Sequence, residues 1–124
     1  MKTAAEIMTK PVVDIEPDTT VAQAIAKMKE NKIFSLLIKR TKRMDTWGFM
    51  SETDVIEKVV AKGLDLTAVY VHEIMTSPVI TVAPNASLQD CAALLTRADI
   101  RRVLVYDGKN IVGIVSSRDI FNAL

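Results

Sequence analysis

A chain of 124 residues, 49% of them hydrophobic and 25% charged, is long enough for one compact core and too short for two independent domains of ordinary size. Its 16 basic residues nearly balance 15 acidic ones, which excludes the global positive field that draws nucleic acid or an anionic membrane surface. One cysteine, Cys91, and one histidine, His72, exclude an intrachain disulfide framework and a multi-cysteine metal site, so a reducing cytoplasm is the expected compartment.

The opening stretch "MKTAAEIMTKPVV" holds no apolar run long enough for a signal sequence. Nowhere do the roughly 18 consecutive apolar residues of a spanning helix occur, and a soluble protein that is neither exported nor membrane-bound is expected. "PVVDI" is β-branched and opens on a proline, which a strand tolerates at its first residue. Thr20 then precedes Val21, Ile25 and Met28 at helical spacing, and Gln23 stands three residues after it, as a capping box requires. Two short apolar runs follow, "SLLIK" and "WGFMS", joined by "RTKRMDT". "SETDVIEKVVAKG" predicts a helix with Val55, Ile56, Val59 and Val60 on one face and Gly63 as its stop.

"GLDLTAVYVHEIMT" is too apolar for a solvated linker and is expected to connect two repeats. Beyond it the pattern returns. "IMTSPVITVAPNASLQDCAALL" copies "IMTKPVVDIEPDTTVAQAIAKM" at an offset of 67, from Ile7 to Ile74. "VGIVSSRDIF" copies "WGFMSETDVI" at an offset of 65, from Gly48 to Gly113, so the first copy carries two extra residues in its loop. In the second copy Ser87 starts the helix, with Leu88, Ala92 and Leu95 at helical spacing, and Asp107-Gly108 in "DGKN" marks a hairpin between "RVLVY" and "IVGIVS". Each copy reads β-α-β-β-α and is too small to bury its sheet alone. Two copies packed face to face would share one core, an α/β (α+β) module of pseudo-twofold symmetry.

Ser51 and Ser116 each end a strand and begin a helix, so their hydroxyls suit the orphan amides of the first turn, a contribution of about 0.5 to 2 kcal/mol. Asp54 and Asp119, three residues on, complete the S-x-x-D box. The same helix end suits a nucleotide: exposed amides take a phosphate, and a carboxylate with two acceptor oxygens takes the paired hydroxyls of a ribose. On the motif alone both readings stand.

The paired "IMTKPV" and "IMTSPV", the segment "IRRVLVYDGKNIVGIVSSRDI" and the strand-then-S-x-x-D ending of both copies resemble a tandem pair of cystathionine β-synthase (CBS) domains, a Bateman module, over nearly the whole chain. The resemblance implies repeats over 1–66, with the N-terminal segment, and 67–124, with the connector. It also implies a ligand pocket in the cleft between repeats, with the aspartate on the ribose. Ser51, Thr53 and Asp54 would be completed by Val79, Ile80, Ile100, Arg101 and Arg102. Ser116, Arg118 and Asp119 would be completed by Val12, Val13, Ile33, Phe34 and Ser35. Two guanidiniums in the first pocket favour a phosphorylated ligand, whereas the second suits adenosine, S-adenosylmethionine or no ligand. The implied ligand is AMP, ADP, ATP or S-adenosylmethionine, acting as a regulator with no cofactor required. Family members pair through their helices, which makes "VIEKVVAKGL" and "IFNAL" candidate homodimer surfaces, and the output would pass to a regulated partner protein.

Several residues have plainer readings. If Arg101 and Arg102 continue a strand, only one can face a cleft. "KRTKR", Lys39 to Arg43, reads as a solvated hairpin tip, Cys91 as core, and His72 as a structural residue of the connector. Trp47 stands at a strand start, as a packing residue between units. Met8 and Met75 fill the core or line an adenine pocket. No nucleophile elbow, P-loop, metal-spaced cluster or close carboxylate pair outside the caps is present, which argues against an enzyme. Two rivals remain to the regulatory reading. One is a ligand-free scaffold in which both boxes are only caps; the other is a nucleic-acid binder using "KRTKR", Arg101 and Arg102, against which the near-neutral charge speaks.

Overall fold

Chain order in the computed structural model, which describes residues 2–124, begins with an element the sequence reading did not contain: a single helical turn, α1 (Ala4–Ile7). Its signal is a T-x-x-E box, in which Glu6 Oε1 accepts from the Thr3 amide and hydroxyl, both at 3.1 Å. The first repeat then supplies β1 (Asp14–Ile15), α2 (Val21–Asn31), β2 (Ser35–Ile38), β3 (Gly48–Ser51) and α3 (Glu52–Val55), which runs on as a π-helical stretch over Ile56–Val60. A 3₁₀ turn at Val71–Glu73 lies in the connector. The second repeat supplies β4 (Thr81–Val82), α4 (Leu88–Ala98), β5 (Arg102–Tyr106), β6 (Ile111–Ser116) and α5 (Ser117–Asn122).

Each repeat builds a three-stranded sheet in sequence order, its first pair parallel and its second antiparallel. The crossover between the parallel strands is the capped helix. Gln23 N–H donates to Thr20 Oγ1 at 3.2 Å while Gln23 Oε1 accepts from the Thr20 amide at 3.0 Å, and Asp90 N–H donates to Ser87 Oγ at 3.0 Å. The helices bury Val21, Ala24 and Met28 in one copy and Cys91 and Leu95 in the other. The "PVVDI" and "PVITV" strands are shorter than expected. Pairing in the first is confined to Asp14 and Ile15 opposite Leu37 and Ile38, with the carbonyls of Val13 and Ile15 accepting from Leu37 and Lys39, and proline has no amide to add to a ladder. The "DGKN" turn forms as predicted, with Gly108 at φ 100° and Asp107 Oδ1 accepting from the amides of Lys109 and Asn110 at 2.8 and 2.7 Å. Those two amides, Asn110 foremost, hold the Asp107 carboxyl below its ordinary range.

The compact units are not the sequential halves 1–66 and 67–124. One is Val13–Val79; the other joins the leading segment through Val12 to Ile80–Leu124. Backbone bonds explain the exchange. Ala4 and Ala5 donate to the carbonyls of Ala86 and Pro84 at 2.8 and 2.9 Å, and Thr9 exchanges bonds with Ile114 on β6. In the other unit Val71 donates to Thr19 at 2.9 Å, and Thr76 exchanges bonds with Phe49 on β3. Each "IMT" segment therefore adds to a strand of the opposite repeat.

The Val13–Val79 unit centres on Leu36, Ile38, Met50, Val59 and Val71, and the other on Val103, Val105, Val115, Cys91 and Ala4. Leu37 and Leu104, on the opposite faces of the two central strands, are buried as well, which is why "SLLI" and "VLV" read as unbroken apolar runs. Burial, foremost, pushes the Cys91 thiol up, with Asp90 adding to it. Since the thiolate is the reactive form, an aromatic disulfide reagent is expected to leave Cys91 unmodified in the folded protein and to modify it fully in denaturant; rapid reaction of the native chain would contradict its place in the core.

Candidate functional site

Two strand-to-helix corners carry the S-x-x-D boxes, one in each unit. At the first, β3 ends on Ser51 and α3 begins at Glu52. Asp54 Oδ2 accepts from the Ser51 amide at 2.9 Å and from its hydroxyl at 3.3 Å. Asp54 Oδ1 lies 3.0 Å from Lys58 Nζ, which also donates to the Ile74 carbonyl at 2.8 Å. At the second corner Asp119 Oδ2 accepts from the Ser116 amide and hydroxyl at 2.8 and 2.9 Å, and the Asp119 amide returns a bond to Ser116 Oγ at 3.1 Å. Asp119 Oδ1 accepts from the Thr9 hydroxyl at 3.2 Å. Both aspartates thus spend one oxygen on the cap and turn the other toward a side chain that sequence reasoning did not select.

The remaining predicted residues divide by unit. Val13, Ile33, Phe34, Ser35, Ser51, Thr53, Asp54 and Val79 belong to the Val13–Val79 unit; Val12, Ile80, Ile100, Arg101, Arg102, Ser116, Arg118 and Asp119 belong to the other. In the first, Ser35 pairs with Ser51 across β2 and β3, and Glu52 N–H donates to the Phe34 carbonyl at 3.0 Å. In the second, Arg102 pairs with Ser116 across β5 and β6, and Ser117 N–H donates to the Arg101 carbonyl at 3.0 Å. The structure therefore brings Ile33–Ser35 to the Asp54 corner and Arg101–Arg102 to the Asp119 corner. Arg102 is half-buried while Arg101 is exposed, as alternation along a strand requires. Thr53 and Arg118 are exposed.

A cavity of about 520 Å³ lies in the Val13–Val79 unit against α2 and α3, lined mainly by Ile25, Met28, Ile33, Phe34 and Val55, with Lys29, Lys32 and Glu52 also present. It takes up two predicted residues, Ile33 and Phe34, but Asp54 does not line it. Among the described residues no group of three or more His, Cys, Asp or Glu side chains could hold a metal.

The other singled-out residues have local partners. Lys39 pairs with Glu16 at 3.4 Å and with Asp14 at 3.9 Å, and Arg40 pairs with Asp45 at 3.8 Å while its guanidinium stacks 4.3 Å from the Trp47 ring centroid. His72 stacks on Tyr70 in the connector, ring centroids 5.8 Å apart. The Met8 thioether lies over Gly113, and Met75 over Gly48, where a side chain would collide with them. Thr9 and Lys58 are the site residues sequence reasoning passed over. Thr9 stands in the repeated "IMT", and Lys58 is four residues after Asp54, the spacing that puts two side chains on one helix face.

With this geometry in place, likeness to known proteins becomes decisive. The CBS domain family matches residues 4–61 and 71–124, and the chain belongs to that family as a tandem pair. CBS pairs are generally regulatory modules, and they often bind adenosyl ligands. The chain is 28% identical over 120 residues to the CBS domain-containing protein YhcV of Bacillus subtilis (strain 168), covering 97% of this chain and 84% of that one. It is 32% identical over 116 residues to an uncharacterized protein of Methanopyrus kandleri, MK0525, of whose length the match spans 59%, with 93% of this chain covered. Its fold is similar to that of the hexameric CBS-CP12 protein from bloom-forming cyanobacteria, with a TM-score of 0.91 and 39% identity over 98% of this chain and 70% of that one.

Proposed function

We propose that the chain is a regulatory module that binds an adenine nucleotide or an adenosyl compound such as S-adenosylmethionine and passes the resulting change to a partner protein. The observation that carries this is the Asp119 corner. There the capping box holds the carboxylate by one oxygen, and the other oxygen accepts from the neutral Thr9 hydroxyl, which a ribose hydroxyl can replace. Arg102, paired with Ser116 beside it, supplies a guanidinium suited to phosphate. Binding regulates only if the ligand prefers one arrangement of the module over another.

Self-association is part of the proposal. Ile56 and Val60 are each 57% exposed and Phe121 is 74% exposed, on the helices named from sequence as homodimer surfaces, and the similar cyanobacterial protein is hexameric. A cytoplasmic setting fits the free buried cysteine; no helix among the described residues is long and apolar enough to cross a membrane. The ligand-free scaffold is favoured by one observation, that in both boxes the aspartate bonds the serine amide of its own corner, as a plain helix cap does.

The two are separated by a thermal-shift series with AMP, ADP, ATP, adenosine, S-adenosylmethionine and S-adenosylhomocysteine on the native chain and on Asp119→Asn. Binding at 100 times the dissociation constant adds about 2.7 kcal/mol to stability, a rise of several degrees. One adenosyl ligand is expected to raise the melting temperature of the native chain and not that of the variant. If no ligand moves the native chain, the boxes are caps only and the scaffold reading takes over.

A further inference from the structure

Asp54 and Asp119 hold the same place in the two repeats, yet their second carboxylate oxygens face different chemistry. At Asp119 the neighbour is a threonine hydroxyl at 3.2 Å. At Asp54 it is the Lys58 ammonium at 3.0 Å. A ribose offers two hydroxyl donors to the aspartate, and Asp54 Oδ2 already accepts two donors from Ser51, so Oδ1 is the acceptor left for a ligand. An ammonium there makes a charge-assisted bond, roughly twice as strong as the neutral hydroxyl bond that would replace it.

We infer that Lys58 is a specificity-determining residue, an internal occupant that closes the Asp54 corner to ribose and leaves the Asp119 corner as the one that binds. The inference deepens the adenosyl-binding reading and rests on it. Three further observations support it. Lys58 is held from a second side by the Ile74 carbonyl at 2.8 Å, so releasing Asp54 is not a free swing of a solvated chain. The repeat offset of 65 that aligns Asp54 with Asp119 aligns Lys58 with Ala123, which has no charge to offer. The segment that carries Lys58 is also π-helical, Ile56–Val60, whereas α5 is α-helical over Ser117–Asn122; π segments recur where a helix is adapted to a site.

Isothermal titration of the full chain with AMP, and separately with S-adenosylmethionine, tests this through stoichiometry. The native chain is expected to bind one equivalent of the preferred probe, lost in Asp119→Asn. Lys58→Met and Lys58→Gln are expected to bind a second, which survives when Asp119→Asn is added and disappears when Asp54→Asn is added. Lys58→Gln keeps a donor for Ile74, so the result does not hang on how well the methionine variant folds. A native chain that binds one equivalent while both Lys58 variants stay at one overturns the inference and leaves the adenosyl reading intact. So does a native chain that already binds two. Failure of both probes to bind the native chain and the Lys58 variants overturns both.

Discussion

Leu36→Ala is expected to lower the free energy of unfolding by about 3 to 5 kcal/mol, the range set by the lost transfer energy plus the cavity left behind. Leu36 sits on β2, the middle strand of its sheet, with no accessible surface, and packs in the cluster with Ile38, Met50 and Val59. Strand neighbours on both sides, β1 and β3, hold the backbone by ladder bonds, so the site has little freedom to collapse onto the void. A loss of that size is a large part of the roughly 5 to 15 kcal/mol that holds an ordinary domain together. Urea unfolding should show the midpoint fall with little change in slope. Glu30→Ala, on an exposed side chain of α2 away from the helices proposed for self-association, is the control, and its effect should stay within about 0.5 kcal/mol. If Leu36→Ala falls in the same range as that control, the assigned core of the Val13–Val79 unit is wrong.

Why the capped helices and the hairpin were legible and Lys58 was not as a site residue comes down to the reach of each signal. Helices announced themselves through Thr20, Gln23 and Ser87, because a cap and its partner lie within one turn of each other. The hairpin was readable from Asp107-Gly108, but its register was not: counting back from Tyr106 opposite Ile111 would set Arg102 opposite Val115, and an irregularity between Val105 and Tyr106 shifts the pairing by one residue, so that Arg102 lies opposite Ser116. That shifted register brings Arg102 beside the Asp119 corner.

The exchange of leading segments has no comparable local signature. It rests on backbone bonds such as Thr9 to Ile114 and Thr76 to Phe49, between residues far apart in sequence whose types do not advertise a partner. A trace does exist in the repeat itself. Met8 and Met75 match under one offset and Gly48 and Gly113 under another, which says that a methionine and a glycine recur in each copy but not which meets which. Only the fold shows that Met8 crosses to Gly113 and Met75 to Gly48. Lys58 was readable in principle from its spacing to Asp54, but an i,i+4 pair on a helix is so often a solvated surface pair that the spacing carries little weight until the carboxylate's other partners are known.

Gly113→Val separates a tolerant glycine from a required one. Gly113 lies inside β6, where valine has the better strand propensity, so without a steric obstacle the exchange would stabilise by up to about 1 kcal/mol. The obstacle is Met8. A Cβ at Gly113 would meet the Met8 thioether and lie 2.6 Å from Met8 Cγ and 2.9 Å from Met8 Cβ. The last of these is fixed to the backbone, and that backbone is bonded to Ile114 through Thr9 at 2.8 and 3.1 Å, so a change of methionine rotamer cannot clear the clash. Overpacking of this kind costs about 1 to 3 kcal/mol and occasionally more, and the net effect is expected near the top of that range. At Gly48 the near atoms are Met75 Sδ, Cγ and Cε, the movable end of the chain, so Gly48→Val should cost distinctly less. Met8→Ala combined with Gly113→Val should recover about 1 to 2 kcal/mol relative to the sum of the single changes, the signature of two residues in contact. Because Met8 adjoins Thr9, and Thr9 meets Asp119 Oδ1, displacement of Met8 should also weaken the adenosyl binding proposed for that corner. Additive single effects would mean that Met8 does not bear on Gly113, and the exchange of leading segments would then lose one of its packing contacts in that unit.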